Sequence, residues 1–363
     1  MVNCSGEGLP YWEQRQTGYF IVNAAIIPPI AVITVIGNLL NIIAFNSSHM
    51  RVQNAVYVYL TGMAVLDLVT IGLITPEWLR NMNLLSPQVA YSRQMAQYES
   101  IRPVLRIIVH HASVWIITFA VLICYARSFG TKRPRWTKIS ASRIIVFVIT
   151  LACLILHFAR FFETRPMEYT DHCFKNLEIY GTAKTAFASN EILKKIYPWA
   201  SVALCVILPY FILFVTFLLL ACRLKFTKLW RNRNELVNKS HSHDETLTAF
   251  TLLIIAVIYT ISELPYAVAE SIHILTKNND TQLPGLQYAI YAAGVVSLIH
   301  CGSTCPVFMI LSRDYCKSLR RLFCCLCVFG DDYYEPMITC PSLSCCKCKC
   351  KKTETDKERG PWV

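Results

Sequence analysis

Apolar runs of about 20 residues alternate with short polar, mostly basic segments along this chain, and the alternation repeats seven times between Ile21 and Leu311. A helix rises 1.5 Å per residue, so roughly 20 predominantly apolar residues cross the hydrocarbon layer of a bilayer. The pattern predicts spans at about 21–45, 55–79, 103–128, 143–162, 196–222, 247–275 and 285–311. Arg106, His110 and His111 interrupt the third, which a bundle interior tolerates and a lipid-facing helix resists. From Arg313 to Phe323 runs a basic amphipathic stretch suited to lie along a membrane face. The predicted fold class is an all-α membrane protein, a seven-transmembrane helix bundle with a short amphipathic helix after the seventh span. Its divisions are an N-terminal tail at 1–20, the bundle at 21–312, the amphipathic helix at 313–327 and a Cys/Lys-rich tail at 328–363.

Charge sets the orientation. Only 16% of the 363 residues are charged, against roughly 25% in an ordinary globular domain, and the net charge of +12 is concentrated in a few loops. Basic residues crowd the loop from Arg127 to Arg143, the loop from Arg223 to Lys239, and the segment holding Arg313, Lys317, Arg320 and Arg321. Lys and Arg collect on the cytoplasmic side, so these loops and the C-terminus are expected inside, the N-terminus outside, and the chain in the plasma membrane. The same charge attracts anionic membrane lipid. No basic patch sits on a soluble module, so nucleic acid is not an expected partner. Sequons at Asn3 and Asn279 fall outside in this topology and are candidate glycosylation sites. Catalytic triads, metal-ligand pairs and phosphate loops at useful spacing are not seen, so no enzyme activity, cofactor or metal is expected.

Seventeen cysteines divide by side of the membrane. Most lie in spans or on the cytoplasmic side, where thiols stay reduced. Cys4 and Cys173 are the extracellular pair, a candidate disulfide joining the tail to the second outer loop. Cys324, Cys325 and Cys327 follow the amphipathic stretch, where acylation would add a second membrane anchor. The later cysteines from Cys340 to Cys350 alternate with lysines, a poor match to zinc ligation and better read as acylated or unmodified.

Several short strings go beyond hydropathy. In chain order they are Gly37-Asn38, His49-Met50-Arg51, Ala64-Val65-Leu66-Asp67, Ser113-Val114-Trp115, Arg160-Phe161-Phe162-Glu163, Pro209 and Glu263-Leu264-Pro265. Over residues 20 to 325 the set resembles rhodopsin-like (class A) G-protein-coupled receptors, and is most similar to the invertebrate FMRFamide-type neuropeptide receptors, from which it diverges. The resemblance implies a receptor for an extracellular peptide that signals to a heterotrimeric G protein. It implies that Asp67, with Asn38, binds sodium or locks two helices, a carboxylate in mid-bilayer being costly unless paired or wetted. It implies Pro209, Pro265 and Pro306 as helix distortions, since each lacks a backbone donor, and Arg127, Arg223 and Arg313 at the G-protein face.

Glu263 stands two residues before the span-six proline, where many relatives carry Trp. It is either a partner for a cationic peptide side chain or a neutral hydrogen-bonding acid within the bundle. Glu270, two turns on, continues an acidic stripe. Tyr266, His110, His111, Glu77 and Tyr291, with Trp78, Glu163 and Trp199, are expected to complete a wide aromatic and acidic pocket. Span three contains no Asp or Glu from Ile101 to Arg127, which argues against an amine ligand, and span seven no Lys, which argues against a retinal Schiff base.

The switch motifs depart from the family pattern. Span three ends in either of two registers, one keeping an Arg at Ala126-Arg127-Ser128 and one losing it at Ile123-Cys124-Tyr125. Span seven reads Cys305-Pro306-Val307-Phe308-Met309, without the usual amide and phenol. A seven-span protein without G-protein signalling and a membrane transporter are therefore the alternative readings.

Overall fold

The computed structural model describes residues 22–47, 50, 55–82, 84–128, 138–169, 179–191, 195–233, 241–276 and 285–328. Seven of its helices are long and apolar enough to cross a membrane. They are α1 (Ile27–Asn46), α2 (Val56–Asn81), α3 (Arg93–Ser128), α4 (Ile139–His157), α5, α6 (His241–Thr276) and α7 (Leu286–Leu311). α5 opens at Tyr197–Val202, passes through a π-helical turn at Ala203–Ile207 and continues as Leu208–Arg233. α8 (Arg313–Val328) follows α7 after Ser312. The chain divides after Leu322: the spans and the first turns of α8 make one unit, and Phe323–Val363 the other, in which α8 runs to Val328.

Local chemistry sets the helix ends. A π-helical turn at Val22–Ile26 leads into α1, whose Pro28 follows it, and Pro198 near the start of α5 occupies a position where no intrahelical N–H bond is lost. Between α4 and α5 a tight turn at Phe158–Phe162 leads into an antiparallel hairpin, β1 (Thr164–Tyr169) with β2 (Ile179–Lys184), in the register Thr164 to Lys184 through Tyr169 to Ile179. Thr164 donates to the Ser100 carbonyl at 3.3 Å and pins the hairpin to α3.

α3 begins at Arg93, ten residues before the predicted start at 103, and Pro103 lies inside it. Hydropathy missed these turns because they are polar: Arg102 pairs with Glu77 of α2, and Glu99 with Arg80. At 36 residues the helix is about 54 Å long, well beyond the ~30 Å hydrocarbon layer, so its polar turns extend past the apolar zone. α4 likewise starts four residues before the predicted 143. In its apolar stretch α3 is 78% buried, against 17% for α4, which makes α3 the central strut. Ile33, Phe147, Ile155, Phe211, Phe214, Ile261 and Ile310 point outward and are more than half exposed, as lipid-facing positions should be.

Phe45, Tyr57, Tyr59, Met63, Ile116, Tyr259, Phe308 and Tyr315 are buried in one apolar cluster. α1 and α7 meet through glycine. A Cβ on Gly37 would lie 3.1 Å from the Cys305 Cβ, and one on Gly302 3.2 Å from the Thr34 hydroxyl. Small residues let backbones approach where apolar burial gives no drive between helices in lipid. Pro209 lies two residues after the end of the π turn of α5, and the span runs on through it without a break. Pro265 and Pro306 sit within continuous α6 and α7.

Candidate functional site

Three helices present matched faces near the hairpin end of the bundle. On α3, Arg102, Arg106 and His110 recur every fourth residue and therefore share one face. On α6, Glu263, Tyr266 and Glu270 share another; on α7, Gly294, Ser297 and Cys301 do so. These faces, with Asp67 and Thr70 of α2, enclose a void of about 30 Å³. A smaller void of about 10 Å³, lined by His110, His111, Tyr266 and Glu270, adjoins it. Each of these two voids has room only for water-sized groups. A larger groove of about 710 Å³ lies on the outer face of α4, but Ile155, Phe158, Phe162 and Phe187 make it an apolar surface fit for lipid, with no ionisable side chain in its lining.

Glu263 and Asp67 are the two enclosed acids of the site, each 4% exposed. Ser297 donates its hydroxyl to Glu263 Oε1 at 2.6 Å. His110 Nδ1 approaches Oε2 at 3.1 Å and His300 Nδ1 approaches Oε1 at 3.5 Å, both off the hydrogen-bond direction. Glu263 thus faces the bundle and not lipid, and the protein's own imidazoles and hydroxyl already surround it. Tyr266 packs edge-on to His110 at 5.0 Å between ring centres and carries the Arg106 guanidinium over its face at 4.8 Å.

From Glu263 a line of buried polar groups continues toward α8. His300 stacks edge-on against Tyr259, and its ring, the Cys301 thiol and the Asp67 carboxylate have ligand atoms within 4.8 Å of one another. Asn38 lies beside Asp67 and donates to the carbonyls of Thr34 and Cys301 at 3.0 and 2.9 Å. Asn41 donates to Asn38 Oδ1 at 3.5 Å, and Tyr315 of α8 donates to Asn41 Oδ1 at 2.7 Å while its oxygen touches the Cys305 sulfur at 3.4 Å. Tyr315 thus brings a phenol from α8, nine residues after Pro306, to the α8 end of this line. A cation beside Asp67 would have that carboxylate as its charged ligand, although the adjacent imidazole and thiol are softer donors than a hard cation prefers.

The other expected residues separate. His111 turns away from His110, toward α4 and α5: its Nδ1 bonds His157 Nε2 at 2.8 Å, and His157 Nδ1 bonds the Tyr197 hydroxyl. With Cys205 these two histidines form a second buried set of donors within 4.8 Å that could hold a metal ion. Adjacent positions on a helix lie about 100° apart, so His110 and His111 share only the edge of the smaller void and make their polar contacts with different helices. Glu77 is engaged by Arg102, Glu163 lies 3.6 Å from Arg160 at the entry to the hairpin, and Trp199 is 66% exposed on the outer face of α5. Trp78 packs with α1 and Tyr291 is half-buried on α7; neither lines the void.

Arg127 is half-buried in the last turn of α3 and Cys124 is buried one turn earlier. Arg223 and Arg313 lie in α5 and α8, their side chains outside the described residues, as are those of Cys324, Cys325 and Cys327. Cys4, Cys173, Asn3 and Asn279 also lie outside the described residues. The sequence reading passed over Ser297, His300, Cys301, His157, Tyr197 and Tyr315. Deep histidines in spans four and seven carried a signal, because ionisable groups inside apolar spans are rare without a partner.

Against this geometry, the family description of the serpentine type 7TM GPCR chemoreceptor Srw matches residues 25–326. The chain belongs to the Srw chemoreceptor family. The match runs from α1 into α8 and takes in the whole buried polar line. As an Srw protein the chain is a seven-span G-protein-coupled receptor of the chemoreceptor kind, a class that takes an extracellular ligand. No individual curated protein matches the chain.

Proposed function

We propose that this Srw protein is a plasma-membrane receptor of rhodopsin-like type, its N-terminus outside, that binds an extracellular peptide between α3, α6 and α7 and activates a heterotrimeric G protein at the α8 end. The observation that supports this most is the continuous buried polar line from Glu263 through His300, Asp67 and Asn38 to Tyr315. Polar groups inside a bilayer bundle are expensive and persist where they serve a function. A line of them joining the two ends gives a ligand at one end a lever on the packing at the other. Ligand binding would then select a state with a different arrangement of α6 and α7 around Pro265 and Pro306, which the cytoplasmic partner reads. Asp67 would serve as the ion-linked or helix-locking residue, and Arg127, Arg223 and Arg313 as part of the G-protein face.

Peptide specificity follows from the resemblance to FMRFamide-type receptors and from the absence of an acid in the apolar part of α3. The test is G-protein activation in cells expressing the full chain and exposed to a peptide library, with an epitope tag on the N-terminus stained in intact cells. A peptide response together with surface staining is expected. Silence to every peptide in surface-positive cells would favour a receptor-fold protein without signalling, and an unstained N-terminus would overturn the orientation.

A further inference from the structure

Carboxylates stand near the void, Glu263 and Asp67 in its lining and Glu270 in that of the adjoining one, yet none of them closes an ion pair with the Arg106 guanidinium among them. Glu77 is held by Arg102, Glu99 by Arg80, and Glu263 by Ser297, His110 and His300. Arg106 has no carboxylate within ion-pair distance among the described residues; its guanidinium lies over the Tyr266 ring. α7 makes room for it: a Cβ on Gly294 would sit 2.7 Å from an Arg106 terminal nitrogen. Beside that fork is the void of about 30 Å³, enough for roughly two waters or one carboxylate group.

We propose that Arg106 anchors a carboxylate of the ligand, an assignment that rests on the ligand-binding reading of this site and names the chemistry it selects. An unpaired cation inside a bundle is costly, and a guanidinium fork matches the two oxygens of a carboxylate. Glu263 and Asp67 also line the void, but His110 at 3.1 Å, His300 at 3.5 Å and the Ser297 hydroxyl face the Glu263 oxygens, and His300 and Cys301 lie within 4.8 Å of Asp67, so polar side chains stand between both acids and an entering anion. The site therefore selects a ligand with a free acid group, from a peptide's C-terminus or acidic side chain or from a small organic acid, and an amide cap does not replace it.

The experiment is thermal unfolding of the purified full chain in detergent, with sodium acetate compared with sodium chloride and with acetamide at equal ionic strength. Acetate at several times its Kd should raise the midpoint by about 2 °C, acetamide should not, and Arg106→Gln should abolish the shift. Gly294→Ala, whose new methyl displaces the guanidinium while leaving the charge in place, should abolish it as well and guards against a Gln variant that fails to fold. Equal shifts in the variants, equal shifts with acetamide, or no acetate shift in the folded wild type would overturn the anchor. Hexanoate and the peptide Phe-Met-Arg-Phe, as free acid and as amide, separate the sources: stronger stabilisation by one acid assigns the source, and an amide equal to its acid overturns the proposal. No G protein takes part, so a chain that stays silent in cells still tests the anchor, and a signalling chain with no acetate shift rejects the anchor alone.

Discussion

Replacing Tyr315 by Phe deletes one oxygen at the junction of α8 with the bundle and leaves the ring in place. The ring is fully buried, its centre 5.6 Å from that of Phe45 and 5.4 Å from that of Phe308. Burial raises the phenol's pKa above its ordinary value, so it stays protonated at physiological pH and donates to Asn41 at 2.7 Å. The variant leaves the buried Asn41 Oδ1 without this donor, a loss of about 1–3 kcal/mol in water-soluble proteins. Between membrane helices such pairs average only ~0.6 kcal/mol and reach ~1.7. Tyr315 is on α8, outside the spans, so about 1–2 kcal/mol is expected. Tyr315→Ala also removes the packed ring, and about 3–5 kcal/mol is expected for that truncation. Denaturant unfolding in mixed micelles, run as a double-mutant cycle with Asn41→Leu, isolates the pair, and a coupling near 1 kcal/mol is expected. Zero coupling, or a Phe variant as unstable as the Ala variant, would refute a structural role for the hydroxyl.

The remaining predictions concern packing and buried charge. Gly302→Val places a methyl-bearing Cβ at 3.2 Å from the Thr34 hydroxyl and should cost about 1–3 kcal/mol by forcing α1 from α7; an unchanged denaturant midpoint would show that the contact is loose. His157→Phe strips the partner shared by His111 and Tyr197 and should cost about 1–3 kcal/mol, read as a lowered unfolding midpoint in detergent, whereas a stabilised variant would mean those groups re-pair. Glu263→Gln preserves an acceptor for Ser297 at similar size, while Glu263→Leu leaves Ser297, His110 and His300 facing an apolar group. The Leu variant should be less stable than the Gln variant by about 3 kcal/mol, and equal stabilities would place the carboxylate outside the network.

The seven spans, their order and the helix after them were legible in the sequence because each depends on local composition. An apolar run of sufficient length satisfies its own backbone hydrogen bonds as a helix, whatever its neighbours do. The polar start of α3 at Arg93 was not legible: hydropathy scores a residue by itself, and Arg102 and Glu99 are stabilised there by Glu77 and Arg80 on α2. Glu263 and Asp67 could be singled out from the sequence because a carboxylate inside an apolar run is conspicuous. Their partners could not, since Ser297 and His300 come from another helix and their meeting depends on helix rotation and depth.

What the sequence determined alone was thus the number of spans, the positions of the deep charges and the broad class of seven-span G-protein-coupled receptor. Tertiary structure alone decided that His110 and His111 serve different networks, that Trp199 faces outward, that Tyr315 reaches Asn41, and that Arg106 lies over Tyr266 in the space left by Gly294. The physical reason is that membrane insertion responds to the summed apolarity of each segment. Which side chains touch is set by how helices rotate and approach one another, and no segment carries that information by itself.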